Sequence, residues 1–316
     1  MRYDTIDDDP LLRLGAWLRD AGYTFITVTP ATHARVNARP CAGEAKSLTD
    51  IFGWSRPFAR ALLPSATFDL LDQGGALERR GEMFVSGVRF STLGGALYMH
   101  SPYPTRDADA VFFGPDTYRF AALIERTLAD ARVGGQGSIV DVGCGAGAGG
   151  IVAARALHAA AERLVLADIN PKALRFARIN AALADMRDAR LHEGDLYAGI
   201  EGLIDVIVAN PPYLVDAEAR LYRHGGGALG TGLSARIVEE GIPRLAPDGI
   251  LILYTGSPIV DGIDTFRHAI EPALQTAGVR WEYAELDPDV FGEELDAPAY
   301  DAVDRIAVIA LVIRAP

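Results

Sequence analysis

Short apolar segments alternate with helical segments along the C-terminal two thirds of this 316-residue chain. Residues 136–143 are predicted to form a buried strand that enters a glycine-rich turn. Further strands are predicted over 164–168, 189–192, 204–209 and 249–254, with helices between most of them. Such alternation is typical of a parallel sheet with helices on both faces. We therefore predict an α/β fold built on a seven-stranded Rossmann-like sheet.

The last two predicted strands, 280–286 and 305–313, have no helix between them. An acidic segment joins them, so the final strand is expected to insert antiparallel at the sheet edge. The helices of this region are predicted over 149–158, 171–183, 234–245 and 264–276. Pro171 suits the first turn of its helix, where a missing N–H costs nothing, and Ser234 is a plausible N-cap.

The N-terminal hundred residues have a different pattern. Helices are predicted over 11–20 and 48–63, and strands over 82–90 and 96–100. Helices followed by a small hairpin predict a smaller α+β domain that resembles a winged-helix module in element order. Prolines 102 and 104 and the acidic run 107–109 are typical of a linker. We therefore place a substrate-recognition domain at residues 1–106 and a catalytic domain at 107–316.

Charge and cysteine content narrow the classes of partner. The formal net charge is −12, and residues 111–316 hold 29 acidic against 18 basic side chains. Such a balance does not favour duplex nucleic acid, which normally attracts a basic face. Only two cysteines are present, the run Asp7–Asp9 argues against a secretory signal, and no apolar run could span a bilayer. We expect a soluble cytoplasmic protein.

A glycine-rich loop follows the first predicted strand of the sheet. Asp141, Gly143, Gly145 and Gly147 form the pattern Asp-x-Gly-x-Gly-x-Gly at a strand-to-helix turn. Glycine is needed there because a side chain would block the close approach of a ligand to the backbone. The looser dinucleotide pattern Gly-x-Gly-x-x-Ala, ending at Ala148, fits as well. The loop alone therefore leaves both kinds of cofactor open.

Two acidic residues close the second and third predicted strands. Asp168 lies 25 residues after Gly143 and could accept both ribose hydroxyls, while Asp195 could accept a hydrogen bond from an adenine amine. Open α/β sheets bind ligands at the carboxyl ends of their strands. Together with the glycine loop, these acids predict a nucleoside cofactor.

The fourth predicted strand of the sheet runs directly into Asn210-Pro211-Pro212-Tyr213. The prolines fix the backbone and remove two donors, which leaves the Pro211 carbonyl free to accept. The Asn210 side-chain carbonyl is a second acceptor, so the pair could hold both hydrogens of an NH2 group and aim its lone pair. The Tyr213 ring could stack on a flat substrate group. These residues are our predicted catalytic set.

With these motifs, residues from about 111 to 316 resemble class I S-adenosylmethionine-dependent methyltransferases of the small type. That group includes release-factor glutamine methyltransferases and ribosomal RNA base methyltransferases. The resemblance implies that S-adenosylmethionine binds over the glycine loop and that a nitrogen is methylated. The segments 114–118 and 228–233 echo the glutamine branch imperfectly, because Gly114 replaces an arginine and Tyr118 a glutamate. Phe113 and Thr117 join the predicted cofactor-binding residues. The N-terminal hundred residues look closer to uncharacterised bacterial two-domain methyltransferases.

The methyl acceptor is predicted first to be a protein glutamine amide, then an RNA base, then a small amine or amide. From Glu282 through Asp304 there are nine acids and no Lys or Arg. This segment is expected either to be a solvated face or to form a rim that repels phosphate. The glycines after His224 suit either a mobile lid or a plain surface loop. Four arginines of the N-terminal part, at positions 56, 60, 79 and 80, could form a modest basic face.

Other classes remain to be weighed against a methyltransferase. A nicotinamide-dependent oxidoreductase would need a hydride-transfer acid or base, and no Tyr-x-x-x-Lys pair is present; the only lysines are Lys46 and Lys172. A non-catalytic cofactor-binding scaffold has no need of the paired acceptors after the fourth strand. His33, His100 and His192 lack metal-ligand spacing, so no metal site is predicted.

Overall fold

The computed structural model describes residues 6–131, 133, 137–216, 218 and 220–316. Gln136, at the start of the first predicted strand of the sheet, and the first residues of the acidic N-terminus lie outside this range. Within it, none of the helices is both long and apolar enough to cross a membrane.

Four helices and two hairpins form the N-terminal part. The helices and strands are α1 (Pro10–Asp20), α2 (Pro30–Asn37), α3 (Leu48–Phe52), α4 (Ser65–Gln73), β1 (Leu77–Arg80), β2 (Met83–Ser86), β3 (Arg89–Leu93) and β4 (Ala96–His100). Strands β1 and β2 pair antiparallel in one small sheet, and β3 and β4 pair antiparallel in another. The predicted smaller α+β part is therefore confirmed, whereas its likeness to a winged helix stays a prediction.

Helices and strands alternate through the C-terminal part. They are α5 (Pro115–Leu128), β5 (Ser138–Val142), α6 (Ala148–Ala156), β6 (Leu164–Asp168), α7 (Pro171–Leu183), β7 (Arg190–Glu193), β8 (Ile204–Ala209), α8 (Gly232–Gly241), β9 (Leu245–Val260), β10 (Ile263–Asp264), α9 (Thr265–Ala277), β11 (Arg280–Asp287) and β12 (Arg305–Arg314). The main sheet has the order β11-β12-β9-β8-β5-β6-β7, with the short β10 beside β9. Strands β5 to β9 run parallel, and β12 is antiparallel to both of its neighbours. The predicted seven-stranded sheet with an antiparallel last strand is confirmed.

Both faces of this sheet are buried. Along β5, Ile139 belongs to the core on the side of α5, α6 and α7, whereas Val140 and Val142 belong to the core on the side of α8 and α9. Because successive side chains of a strand point to opposite faces, such a sheet buries both faces of β5, and from Ile139 to Val142 this strand is apolar except for Asp141. Because β5, β6 and β8 run parallel, their carboxyl ends lie at one edge of the sheet.

Several element bounds differ from the predictions. The helix predicted over 48–63 ends at Phe52, because Ser55 adopts a left-handed φ of 54°. The strand predicted over 82–90 divides at Gly87, whose N–H donates to the Ala76 carbonyl at 2.7 Å. The final strand β12 inserts between β9 and β11, so the edge is β11. By contrast, α7 and β8 have the predicted bounds.

Ser234 is not the N-cap that we predicted. Thr231 occupies that position, and Ser234 lies fully buried inside α8, where its hydroxyl shares a 2.7 Å hydrogen bond with that of Thr255 on β9. Although serine suits the N-cap of a helix, Ser234 instead packs against the sheet and forms its hydrogen bond there. The local pattern could not show this bond, because its partner lies 21 residues further along.

The N-terminal part packs closely on the C-terminal part. Gly15 of α1 faces Leu183 of α7 so closely that an added Cβ would lie 2.7 Å from that side chain. The buried Asn180 side chain accepts from Met99 N–H at 2.7 Å and donates to the carbonyls of Met99 and Ala146, at 2.9 and 2.8 Å. One hydrophobic cluster thus runs through both parts. The boundary predicted at residue 106 stays a prediction.

Candidate active site

A deep pocket opens at the carboxyl ends of β5, β6 and β8. Its walls come from the residues before α5, the turns after these three strands and the loop that precedes α8. Ten of the eleven predicted site residues line it, namely Phe113, Thr117, Asp141, Gly143, Gly145, Asp168, Asp195, Asn210, Pro211 and Tyr213. The structure therefore brings the glycine loop, the two acids and the tetrapeptide together in one cavity.

Gly143 and Gly145 form the floor of this pocket on the side of β5. Both adopt left-handed backbone conformations, with φ of 66° and 52°, which an L side chain takes up only at a cost. A Cβ added at Gly143 would meet no protein atom within 4 Å. The loop thus leaves an open cradle against bare backbone, the arrangement predicted for close approach of a ligand.

Gly147 does not line the pocket, although we predicted it to bind cofactor. It adopts a φ of 76° at the start of α6, and a Cβ there would lie 3.2 Å from the Ala177 Cβ and 3.4 Å from the Leu166 side chain. The structure therefore assigns the third glycine to close packing between the turn and α7. Its neighbours in the cavity wall are Ala146 and Ala148.

Asp141 is almost fully buried, at 2% exposed, and accepts the Gly150 N–H at 2.7 Å. This bond ties the end of β5 to the first turn of α6, whose orphan N–H groups need acceptors. Burial raises the pKa of this carboxyl to about 8, although the Gly150 N–H opposes the shift. Asp141, which we predicted to contact the cofactor, thus also holds the glycine loop in place through this hydrogen bond.

Asp168 ends β6 and is shared by two backbone amides. One oxygen accepts from Gly145 N–H and the other from Asn170 N–H, each at 2.9 Å. Burial raises the pKa of this carboxyl, and the N–H bonds oppose the shift. A carboxylate has about four acceptor positions, so a pair of ribose hydroxyls remains a chemically suitable ligand.

Asp195, the second predicted acid, lies at the outer rim with an exposed side chain. It forms an ion pair with Arg236 of α8, whose Nη2 lies 2.9 Å from the carboxylate. Across the pocket, Phe113 is fully buried and stacks on His100, with ring centroids 5.1 Å apart. The Thr117 hydroxyl accepts from Gly114 N–H at 3.2 Å and so caps α5. Their predicted contacts with cofactor stay predictions.

Asn210 follows β8 and turns a partly exposed side chain into the pocket wall. Within the described residues its amide has no hydrogen-bond partner. Neither of the two prolines after it has an N–H, so neither can donate a hydrogen bond to a carbonyl group of this turn. The end of β8 therefore presents the Asn210 amide to the pocket as a group that can form hydrogen bonds with a ligand.

Tyr213 is held more firmly than the sequence predicted. Its hydroxyl donates to one oxygen of the buried Asp116 at 2.8 Å, and the Tyr254 hydroxyl donates to the other at 2.9 Å. Burial, together with the Asp116 charge, raises the pKa of Tyr213 well above its usual value. Its ring lies against Gly256 of β9, where a Cβ would come within 2.3 Å. The phenol therefore anchors the tetrapeptide to α5 and β9.

Sequence reasoning missed Asp116 and Tyr254 as site residues. Asp116 lies within the 114–118 segment that resembles the glutamine branch, but nothing local indicates its partners 97 and 138 residues away. Arg119, one turn later on α5, pairs with Asp116 at 3.3 Å and with Asp287 at 3.2 Å. These bonds join Asp116, Arg119, Tyr213 and Tyr254 in one cluster, which holds the tetrapeptide at the pocket wall.

The acidic segment before β12 is partly neutralised. Glu282 and Glu285 lie on β11 rather than in a loop, and Glu285 pairs with Arg305. Asp287 pairs with Arg119, and Glu294 pairs with Arg223 at the pocket wall. Three of the nine predicted acids are therefore matched by arginines, which weakens the expectation of a strongly repelling rim.

The remaining polar features belong to packing or to the surface. His33 and His100 are buried beside Arg89, and burial lowers the pKa of both imidazoles. The exposed Cys41 and buried Cys144 are both free. In the part of the chain that the structure describes, no cluster of His, Cys, Asp and Glu could hold a metal ion.

The predicted basic face and lid glycines also take part in packing. Arg56 pairs with Asp50, and Arg80 pairs with Glu78. Gly225 donates to the Leu214 carbonyl at 2.8 Å and is tightly surrounded by backbone.

The sheet order and the pocket at its carboxyl edge define a class I methyltransferase fold. The family model described as methyltransferase small domain matches residues 119–258. Over these residues the chain is similar to methyltransferase small domains, in agreement with the resemblance found in its motifs.

Curated relatives support the same class. The chain is 34% identical over 200 residues to a release factor glutamine methyltransferase of Deinococcus radiodurans, covering 60% of this chain and 66% of that one. It is 28% identical over 221 residues to a 4-amino-L-phenylalanine/4-methylamino-L-phenylalanine methyltransferase of Streptomyces pristinaespiralis, covering 66% and 67%. The chain thus spans less than two thirds of the first of these relatives.

A solved structure of an S-adenosylmethionine-dependent methyltransferase from Agrobacterium tumefaciens gives a TM-score of 0.48. The sequences are 16% identical, and the alignment covers 80% of this chain and 79% of that one.

Proposed function

We propose that this protein is an S-adenosylmethionine-dependent N-methyltransferase that acts on a planar NH2 group. The observation that carries the proposal is the unpartnered Asn210 amide, which lines the same pocket as the open glycine cradle at Gly143 and Gly145. A nucleoside site and an amine-holding group thus face one cavity.

The residues present fit S-adenosylmethionine. The bare backbone at Gly143 and Gly145 leaves room for a ligand, and Asp168 has lone pairs for ribose hydroxyls. Asp195 at the rim is available to the adenine amine if its ion pair with Arg236 opens or is shared. When bound, this cofactor supplies an electrophilic methyl group on a positively charged sulfur.

The protein's contribution is to orient the acceptor. The Asn210 side-chain carbonyl and the Pro211 carbonyl would each accept one hydrogen of the NH2 group and direct its lone pair into the pocket. A delocalised lone pair is a weak nucleophile, so fixed geometry accounts for much of the expected acceleration. Tyr213 positions this turn through Asp116, and burial keeps its phenol neutral.

The acceptor that bears the NH2 group is predicted first to be a protein glutamine amide. The segments 114–118 and 228–233 support this choice, as does the Deinococcus relative, which is named for release-factor glutamine. An RNA base is the second prediction, supported by relatives named ribosomal RNA small subunit methyltransferase C. A small ring-borne amine is supported by the relative that acts on 4-amino-L-phenylalanine. A cytoplasmic location stays a prediction.

The proposal is tested by cofactor binding and by one substitution. Calorimetry should show that the protein binds S-adenosylhomocysteine and does not bind NAD. Radiolabelled methyl transfer should be assayed against release factors, ribosomal subunits and a metabolite extract. Asn210→Ala should abolish transfer while cofactor affinity changes by less than about threefold, because the amide holds the acceptor. Gln275→Ala, on the exposed face of α9, is the control.

Equal loss of cofactor binding in Asn210→Ala would remove the assigned role of this residue. Tight binding of NAD with no affinity for the sulfonium cofactor would instead favour the oxidoreductase class.

A further inference from the structure

Two loops meet at the mouth of the pocket. Residues 105–112, which lead from the N-terminal part into α5, run beside residues 220–224, which follow the tetrapeptide. The Tyr222 hydroxyl donates to the Thr105 carbonyl at 3.0 Å, and Leu221 N–H donates to the Ala108 carbonyl at 3.1 Å. These bonds join segments 117 residues apart in sequence, so the mouth is formed by the fold rather than by a local motif.

Each of these loops contributes one aromatic ring to the pocket wall. The centroids of Phe112 and Tyr222 lie 6.4 Å apart, and their planes differ by only 9°. Both side chains are half-buried and both line the cavity. Because the planes are parallel, a flat group that lies on one ring is also parallel to the other. Stacking of this kind favours aromatic ligands.

Gly114 is coupled to this pair of rings. An added Cβ there would lie 2.4 Å from the Phe112 ring. The backbone at Gly114 is extended, with a φ of −160°, which any residue adopts. The backbone therefore does not require glycine, but the position of the Phe112 ring does. A side chain at position 114 would displace that ring from the mouth.

The pocket offers little to a charged ligand on this side. In the described lining, Arg223 is the only cation, and it pairs with Glu294 and with Asp216. Arg220 beside it also pairs with Asp216. Because both guanidinium groups form ion pairs with carboxylates, the described lining holds no unpaired cation that could attract a phosphate. The mouth therefore favours an uncharged group over a phosphate-bearing one.

We propose that Phe112 and Tyr222 form the acceptor subsite, and that it takes an uncharged aromatic ring bearing the NH2 group. The ring lies parallel to both side chains and presents its NH2 group to Asn210 in the same cavity. This inference rests on the proposed N-methylation and narrows its acceptor from any planar NH2 to a ring-borne one. It therefore places a ring-borne amine ahead of the protein glutamine amide that the two sequence segments favour. Gly114 keeps the Phe112 ring in place.

The test measures binding rather than turnover. Wild-type protein loaded with S-adenosylhomocysteine is titrated with 4-methylaniline and, separately, with butyramide, and saturation-transfer NMR reports ligand binding. We expect transfer to the aniline ring protons and much weaker transfer to butyramide. The double variant Phe112→Leu/Tyr222→Leu should raise the aniline dissociation constant by about fivefold or more, the lower end of the cost of losing a stacking ring.

Two further variants separate the rings from general damage to the mouth. Gly114→Ala leaves both rings in the sequence but should weaken aniline binding by displacing Phe112. Leu203→Ala removes an exposed apolar side chain outside the pocket and should leave aniline binding unchanged. All variants should bind S-adenosylhomocysteine like the wild type in calorimetry.

The subsite is overturned if the double variant binds 4-methylaniline as well as the wild type does, if butyramide binds better, or if neither compound binds the loaded protein. Those outcomes leave N-methylation itself intact. Failure of the wild type to bind S-adenosylhomocysteine would instead remove the proposed function, and calorimetry detects this before any acceptor is added.

Discussion

The cofactor side and the acceptor side of the pocket are held together over very different distances in sequence. On the cofactor side, Asp141 bonds to an amide 9 residues away and Asp168 to one 23 residues away. On the acceptor side, Asp116 receives hydroxyls from 97 and 138 residues away, and Tyr222 bonds to a carbonyl 117 residues away. One side belongs to a single β–α–β unit, formed by β5, α6 and β6, while the other joins segments about a hundred residues apart.

The largest expected effect tests the cofactor side. Gly143→Val places a side chain in the open cradle and also strains a backbone with φ of 66°. We expect affinity for S-adenosylhomocysteine to fall by about a hundredfold or more, measured by calorimetry, because the valine side chain fills the space left for the ligand. Backbone strain of about 1–2 kcal/mol should lower the stability of the variant as well.

Gly262→Val is the matched control for this prediction. Gly262 has a similar φ of 75° and equally open surroundings, but it lies in the turn before β10. The Gly262→Val variant should lose about as much stability as Gly143→Val but should keep the cofactor affinity of the wild type. Equal loss of affinity in both variants would show that the glycine loop acts through overall stability rather than as a cradle.

The contrast between the two sides also explains what the sequence could predict. Gly143, Asp168 and Asn210 were found because each follows a strand whose apolar pattern is local, and parallel strands place their carboxyl ends at one edge. Asp116 could not be assigned from its own segment, since it resembles any acid in the first turn of a helix. Ser234 was assigned wrongly as a cap, because its real partner is Thr255 on another element.

The second prediction concerns Asn180 of α7, whose side chain bridges the N-terminal part and the glycine loop. Its side chain serves Met99 on β4 and the Ala146 carbonyl. Asn180→Ala leaves three buried groups unsatisfied, so we expect a loss of about 2–4 kcal/mol in the free energy of unfolding. Chemical denaturation measures it.

Cofactor affinity should fall with stability in Asn180→Ala, which would show that the cofactor side also depends on a distant segment. Asn37→Ala, at the end of α2 far from the glycine loop in sequence, is the comparison, because its amide likewise donates to a backbone carbonyl, that of Trp54. An Asn180 variant as stable as the wild type would mean that the glycine loop needs no support from β4.

The third prediction addresses the anchor of the tetrapeptide. Asp116→Asn offers one acceptor oxygen where two phenols now bond, and Tyr213→Phe removes the bond to the tetrapeptide alone. Each should accelerate hydrogen exchange of the 213–216 amides by about tenfold, the equivalent of one lost hydrogen bond. Mass spectrometry of the intact, cofactor-loaded protein measures this exchange.

Tyr254→Phe is the control for that anchor, because it removes the other bond to Asp116 and leaves the one to Tyr213. Its 213–216 amides should exchange like those of the wild type. If all three variants exchange alike, Asp116 stabilises the whole core without holding the tetrapeptide in particular.

The smallest expected effect on cofactor affinity is at Asp141, where the prediction asks whether the carboxyl supports the glycine loop or contacts the cofactor. Its carboxyl pKa is raised to about 8, whereas in an unfolded chain it is about 4. Between these values the folded state holds a proton that the unfolded state has lost, so stability falls as pH rises from about 4 to 8. The amide introduced by Asp141→Asn does not titrate, and its oxygen can still accept from the Gly150 N–H.

We expect Asp141→Asn to match the wild type near pH 4 and to become steadily more stable than it towards pH 8, by up to about 1.4 kcal/mol for each pH unit in between. Thermal unfolding across this range measures the difference. Calorimetry should find cofactor affinity within about threefold of the wild type, since a supporting bond is kept. A stability difference that does not change with pH would mean that the carboxyl is ionised in the folded protein, and a large loss of affinity would return Asp141 to the direct contact predicted from the sequence.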